Sequence, residues 1–259
     1  MGEAVTMEYD MTELMACASG RMLEDGRSVP VGTGLPIIAA TLAQRLHAPS
    51  LLIIFEAGAI GPRIPTIPVS VGDSRTAHQA VMAASMDYVM GCAQQGFVDY
   101  AFLGGAQIDK YGNLNTTVIG PHDNPRVRLP GSGGGNDAGS LCRRTIILMR
   151  HDTRRFVEKV DFITTPGYLT GPGARERAGL PADSGPYRVI TQLGVMDFDI
   201  ETRRMRLISV HPGVSVDEVV ENTGFELVMA DEVSVTEPPT ERELRLLREE
   251  IDPAGIVIG

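Results

Sequence analysis

Glu56 closes an unbroken apolar run, Leu51-Leu52-Ile53-Ile54-Phe55, and opens the segment Ala57-Gly58-Ala59-Ile60-Gly61. A carboxylate in that position can act as nucleophile toward an activated acyl group. It can equally pair with an arginine or cap a helix, and position alone leaves all three readings open. Gly58 and Gly61 let the chain turn sharply and keep bulky groups away from the carboxylate. The second candidate is Gly131-Ser132-Gly133-Gly134-Gly135-Asn136-Asp137. Four glycines ahead of a helix-starting Asn-Asp offer several free backbone N–H groups to an anion or an oxyanion. A flexible surface loop is the plain alternative.

Other chemistries fit the sequence less well. The dinucleotide fingerprint needs a glycine three places after Gly133, and Asn136 stands there. No Gly-Lys-Ser/Thr ending follows, so a nucleotide P-loop is excluded. The five histidines (His47, His78, His122, His151, His211) have no ligand spacing, so no metal site is expected. Cys17, Cys92 and Cys142 are widely spaced and odd in number, which indicates no disulfide framework and a reducing compartment. A Cys–His nucleophile pair stays open, because such partners meet in space and not in sequence. Ser70 and Ser184 have glycines nearby, yet neither sits in G-x-S-x-G.

The elements that must position these residues read as an α/β fold. Met11, Leu14, Met15, Ala18 and Met22 mark a helix by their spacing, as do Leu35, Ile38, Ala39, Leu42 and Leu46. Pro36 suits the first turn of the second helix. Between and after them come a short strand, Ser28–Val31, and the apolar run Leu51–Phe55. A run without alternation is what a strand covered on both faces carries, as in a parallel sheet. Strand, helix, strand is the unit of such a fold, and its strands end where ligands bind. Further on, Thr76–Gln95 reads as helical, and Met82, Met86 and Met90 as its core stripe. Tyr100–Leu103, Leu114–Ile119, Thr145–Met149, Val160–Thr164, Val189–Gln192 and Met205–Val210 read as strands. Capping boxes at Ser215–Glu218 and Thr240–Glu243 start two late helices, the last with a stripe of Leu244, Leu247 and Ile251. The expectation is one open α/β domain over residues 1–259, with a mostly parallel sheet flanked by helices.

Composition narrows the class further. With 43% hydrophobic and 22% charged residues, the chain can build a core, so general disorder is not expected. A formal charge of −10 argues against a nucleic-acid partner, which needs a basic face. Arg143–Arg144 and Arg154–Arg155 have no aromatic residues alternating with them. They read as ordinary ion pairs or, alternatively, as attractors of an anionic ligand's phosphates. Residues 1–10 are acidic and carry no apolar stretch of a signal peptide, and no run approaches the ~18 residues of a membrane span. A soluble cytoplasmic protein is expected.

The ordered motifs resemble the family I coenzyme A transferases, specifically B subunits of the glutaconate CoA-transferase type. The resemblance runs the length of the chain, through Val31-Gly32-Thr33-Gly34-Leu35-Pro36, Glu56-Ala57-Gly58, Ser70-Val71-Gly72-Asp73 and Gly104-Gly105-Ala106-Gln107-Ile108-Asp109. It continues through Tyr111-Gly112-Asn113, Gly131-Ser132-Gly133-Gly134, Gly171-Pro172-Gly173-Ala174-Arg175-Glu176-Arg177, Glu221-Asn222-Thr223-Gly224-Phe225 and Ile251-Asp252-Pro253. It implies a CoA-transferase/NagB-like fold and a nucleophilic Glu56 that becomes a glutamyl-CoA thioester. Gly133 and Gly134 would then supply oxyanion amides, and Gln107 and Asn113 would either line the same cleft or stabilise turns. The family motif is E-[SN]-G, so Ala57 departs from it at the middle position. The resemblance also implies a homologous A subunit, a hetero-oligomer, coenzyme A as substrate with no permanently bound cofactor, and exchange between an acyl-CoA and a carboxylic acid, such as a dicarboxylate. Relatives with this pattern that decarboxylate or hydrolyse CoA thioesters are the alternative. Sugar-phosphate isomerases and ligand-sensing modules share the fold, so fold alone does not carry function.

Overall fold

The computed structural model describes residues 8–258. The expectation of an acidic leader-free start concerns residues 1–10 and so lies largely outside the described residues. The chain divides into two compact units, Met1–Val89 with Glu237–Gly259, and Met90–Thr236.

In the first unit, helix α1 (Met11–Gly20) begins on a reciprocal cap. The Glu13 amide donates to Asp10 at 2.8 Å, and the Asp10 amide donates to Glu13 at 3.0 Å. Two of the orphan amides at the helix start are thereby satisfied. Strand β1 (Ser28–Pro30), helix α2 (Leu35–Leu46) and strand β2 (Leu52–Ile54) form the expected strand–helix–strand unit, and β1 pairs with β2 in parallel. The sheet continues antiparallel through β3 (Ala59–Ile60) and β4 (Met82–Ala83). Strand β2 is shorter than its apolar run because Phe55 already turns, its amide donating to the Ala59 carbonyl at 2.8 Å.

The helix expected over Thr76–Gln95 forms only in its second half. A 3-10 turn at Ser74–Ala77 and strand β4 precede helix α3 (Met86–Gln94). Pairing with β3 claims the middle of the segment, and the Ala84 amide donates to the Gly58 carbonyl at 2.9 Å. Met82 therefore sits on a strand, and Met82 and Met86 are exposed, not core.

The closing helix, Glu241–Arg245, starts on the expected Thr240 capping box and runs on as a π-helical turn, Leu246–Ile251. Leu244, Leu247 and Ile251 are buried, as their spacing requires. Two bidentate ion pairs tie this end of the chain to α1. Arg21 grips Glu243 at 2.8 and 2.6 Å, and Arg248 grips Glu13 at 2.6 and 2.8 Å. Both carboxylates are almost fully buried, which makes such pairs costly to break from one side.

The second unit is built on six strands. They are β5 (Tyr100–Leu103), β10 (Arg144–Leu148), β11 (Gly185–Ile190), β12 (Gly194–Phe198), β13 (Met205–Val210) and β14 (Val228–Val235), in the order β14-β13-β12-β11-β10-β5. β5, β10 and β11 are parallel, β11 to β13 antiparallel, and β13 pairs with β14 in parallel. Between β5 and β10 the chain makes two small ribbons. One joins β6 (Gln107–Ile108) to β7 (Leu114–Asn115), the other β8 (Val118–Ile119) to β9 (Val127–Arg128). The single strand expected at Leu114–Ile119 thus splits into two, broken at Thr116–Thr117, where Asn115 Oδ1 accepts from the Thr117 amide at 2.9 Å. Val160–Thr164 forms no strand, because its turns are held by side chains such as Gln107, whose carbonyl accepts from the Asp161 amide at 3.0 Å.

Two histidines are walled into this unit's interior. His151 stacks on Phe156 with ring centroids 3.6 Å apart, and its Nε2 lies 2.8 Å from the Thr223 hydroxyl. Burial pushes its pKa down to about 4, against a small opposing pull from Asp152, and burial pushes His211 down as well. A neutral folded histidine means the unfolded chain binds more protons below pH 6.5. Stability is then complete above that pH and falls as the pH drops toward 4. His151 alone accounts for about 2 kcal/mol between pH 6.5 and 5, at about 1.36 kcal/mol per pH unit. The Glu13, Glu243 and Asp152 carboxylates are held low and titrate beneath this window, whereas burial raises Asp109, which offsets part of the histidine effect as the pH falls. Urea unfolding midpoints at pH 7 and pH 5 are expected to differ accordingly, with a shallower change in His151→Asn. Identical midpoints would contradict the assignment.

Candidate active site

Phe55, Glu56, Ala57 and Gly58 make a tight turn joining β2 to β3, closed by the Gly58 amide donating to the Phe55 carbonyl at 2.9 Å. Glu56 is half-buried and Ala57 exposed at its tip. Among the described residues the Glu56 carboxylate has no hydrogen-bond or ion-pair partner, so it neither neutralises an arginine nor caps a helix. The glycine after it is needed for more than the turn. Gly58 has φ +119°, and a Cβ there would lie 2.0 Å from the Ala84 carbonyl oxygen. Only glycine lets the β4 end of the chain approach the back of the turn this closely.

The glycine loop lies in the second unit, ahead of helix α4 (Gly135–Leu141). Gly131 and Gly133 have φ of +93° and +51°, a conformation that bulkier residues resist. Gly131 is clamped on both sides. Its amide donates to the Thr116 carbonyl at 2.8 Å, and its carbonyl accepts from the Thr116 hydroxyl at 2.8 Å. Ser132, not Asn136, supplies the side-chain cap, accepting from the Asn136 amide at 3.0 Å. Asn136 instead donates Nδ2 to the Thr164 carbonyl at 2.9 Å. The Gly133 and Gly134 amides make no hydrogen bond among the described residues, so this fixed loop presents donors to a developing negative charge.

Arg175 backs the same helix. It is 3% exposed, and its guanidinium donates to the Gly139 carbonyl at 3.1 Å, the Gly167 carbonyl at 2.9 Å and the Ser184 hydroxyl at 2.7 Å. A cation on the last carbonyls of α4 also complements the helix dipole. The Gly-Pro-Gly-Ala-Arg run carries Arg175 in the sequence, but nothing local says that its partners are carbonyls of a distant helix.

Gln107 and Asn113 are buried and committed to the framework. Gln107 donates to Asp161 at 3.2 Å and accepts from Asn115 at 2.7 Å. Asn113 donates to Asp109 and the Leu169 carbonyl, and accepts from the Gly167 and Leu169 amides. Every polar atom of the Asn113 side chain is therefore used in holding the 167–169 turn against β6 and β7. Of the two, Gln107 also lines a pocket, which it shares with three arginines.

The thiols are unsuited to nucleophilic work at two of three positions. Cys17 and Cys142 are buried, and burial pushes both up to about 12. Among the described residues no group of three or more His, Cys, Asp or Glu could hold a metal ion, and no helix is long and apolar enough to cross a membrane.

Known proteins match this arrangement along nearly the whole chain. The family model described as Coenzyme A transferase matches residues 12–222. The B subunit of glutaconate CoA-transferase from Acidaminococcus fermentans is 42% identical over 256 residues, covering 96% of this chain and 95% of that one. A crystal structure of glutaconate coenzyme A-transferase from that organism superposes with a TM-score of 0.92 at 40% identity, covering 97% and 98%. The B subunit of 3-oxoadipate CoA-transferase from Pseudomonas knackmussii is 39% identical over 241 residues, covering 93% and 92%. The decarboxylase AibA/AibB is more distant, at 28% identity with a TM-score of 0.83, covering 96% and 97%. The chain belongs to the coenzyme A transferase family.

Proposed function

We propose that this chain is the B subunit of a CoA-transferase that carries CoA between carboxylic acids as a thioester on Glu56. The observation that carries the reading is the Glu56 carboxylate itself, half-buried on a tight turn and held by no basic side chain among the described residues. A Glu56 oxygen attacks the acyl-CoA carbonyl, the C–S bond breaks, and an acyl-glutamyl anhydride forms with CoA thiolate released. The thiolate attacks the glutamyl carbonyl, and the first acid leaves as its carboxylate. A second carboxylate then attacks the glutamyl-CoA thioester and the steps run in reverse. No net proton transfer is needed, which suits a site without a basic residue at the nucleophile. Each attack builds negative charge on a carbonyl oxygen, which a fixed backbone amide stabilises by about 3 kcal/mol.

A homologous A subunit completes the enzyme in this reading. Supporting it, the first unit exposes apolar side chains on and around β4, with Val81 at 81%, Met82 at 44% and Met86 at 52%. Exposed apolar side chains close together in the sequence are suited to a protein contact. The acids exchanged are dicarboxylates or their CoA esters, in keeping with the glutaconate and 3-oxoadipate enzymes that the chain is similar to.

The competing reading, a CoA-thioester decarboxylase or hydrolase, is favoured by the similarity to the decarboxylase AibA/AibB. Rapid quench of the two-subunit complex with acyl-CoA alone separates the two. A borohydride-sensitive CoA adduct on Glu56 is expected. Consumption of acyl-CoA with no adduct and no need for an acceptor acid would overturn the transferase reading.

A further inference from the structure

The second unit holds a cavity of about 280 Å³ at the starts of β10 and β11, lined by Arg143, Arg144, Tyr168, Ser184, Tyr187 and Arg203, among others. It lies at the foot of α4, which ends at Leu141, two residues before Arg143. The glycine loop is at the head of that helix, about 10 Å away at 1.5 Å per residue, so the two features are separate. Three guanidiniums meet at the cavity in a chain of formal charge −10. Arg144 donates to the Tyr100 hydroxyl at 3.2 Å and lies over the Tyr187 ring, 5.1 Å from its centroid. Arg203 lies over the Tyr168 ring, also at 5.1 Å. The turn between β12 and β13 sets its place, since Arg203 has φ +58° and its amide donates to the Asp199 carbonyl at 2.9 Å. Aromatic faces hold such cations without neutralising them. Neither Arg143 nor Arg203 has an ion-pair partner among the described residues. Asp183, the acid on the rim, is exposed and pairs with none of the three arginines. The wall itself is fixed. Ser184 Oγ accepts from Arg175 at 2.7 Å and donates to the Pro181 carbonyl at 2.7 Å, and the Tyr168 hydroxyl donates to the Pro186 carbonyl at 3.0 Å.

We propose that this cavity binds a phosphate dianion through Arg143 and Arg203. Gathering like charges costs energy that a bound anion offsets. Arginine forks bind phosphate oxygens in pairs, and two forks on one cavity suit a tetrahedral dianion. The volume falls below the ~300–1,000 Å³ of sites for drug-sized ligands, which suits phosphate and not a nucleotide. The site stands whether or not Glu56 carries CoA.

The test uses Arg143→Gln/Arg203→Gln in the full chain purified with its A subunit. Glutamine keeps much of each stem and removes both charges. Calorimetric titration with inorganic phosphate at fixed ionic strength is expected to show binding to the variant weaker by about tenfold or more. Phosphate should also raise the unfolding temperature of the wild type and not of the variant. Arg143→Gln alone, at an exposed position, should lose part of the affinity, and it answers the question if the double variant fails to fold. Succinate, whose two charges lie apart, should bind more weakly than phosphate. Phosphate binding equal in wild type and variants, or no heat beyond that of chloride, overturns the proposal, as does tighter binding of succinate. The Glu56→Gln complex should titrate as the wild type does, so this site and the nucleophile are read independently.

Discussion

Glu56→Gln, purified with its A subunit, is expected to exchange CoA between acids slower by on the order of 10⁴-fold or more. Removing a covalent nucleophile costs that much in enzymes where it has been measured as a single substitution. Glutamine keeps the shape and length of the side chain and removes only the anionic oxygen that would attack the thioester. The change should leave the fold alone, because the carboxylate has no partner to lose among the described residues. Its unfolding temperature and its assembly with the A subunit should match the wild type, with a stability change within about 0.5 kcal/mol. Glu56→Asp keeps the charge but withdraws it by one methylene. It should be nearly as slow, since attack requires the reacting atoms to lie about 3–3.5 Å apart. Mass spectrometry under rapid quench should find the CoA adduct in the wild type and in neither variant. A Glu56→Gln complex that exchanges CoA at the wild-type rate would show that the carboxylate is not the nucleophile.

The parts of the molecule legible in the sequence are those set by local periodicity. The β1–α2–β2 unit follows from one helical stripe and one apolar run, β5 falls on the apolar run Tyr100–Leu103, and β13 falls where Met205 and Leu207 alternate with Arg206 and Ile208. The Thr240 cap is readable because hydroxyl and glutamate stand three residues apart. The Asp10 cap, with an acid in place of the hydroxyl, emerges only in the structure. Local pattern fails where a distant segment takes over. Residues 76–85 have a helical pattern, but β3 offers their backbone a ladder, and Met82 ends up exposed on a strand. At the candidate site the residue types are legible and their partners are not. Ser132 caps α4 because Gly134 and Gly135 leave no nearer hydroxyl, and Thr116 and Thr164 clamp the loop from a different ribbon and a later turn. Asn113 reads as a polar residue beside a glycine. Only the fold reveals that its amide holds residues 167 and 169, far along the chain.

The same contrast makes Gly58→Ala the most severe substitution expected outside the nucleophile. In the sequence Gly58 is half of a two-glycine turn, and an alanine in a turn is ordinarily a mild change. In the structure an added methyl would sit 2.0 Å from the Ala84 carbonyl oxygen and 2.6 Å from its carbon. These are backbone atoms that cannot rotate aside, and the φ of +119° is one that alanine resists. Strain of this kind costs about 1–3 kcal/mol, and the overpacking adds a similar amount. Part of that energy will be relieved by pushing β4 away from the turn, which carries Glu56 with it. Gly58→Ala should therefore lower both the unfolding temperature and the exchange rate, the latter by about 10²-fold for a displacement near 1 Å. Ala57→Ser, one residue earlier on the exposed tip, restores a residue of the family motif and meets no such wall. It should shift stability by less than about 0.5 kcal/mol. If Gly58→Ala proved as stable and as active as Ala57→Ser, the close approach of the Ala84 backbone would not be what fixes the nucleophile's turn.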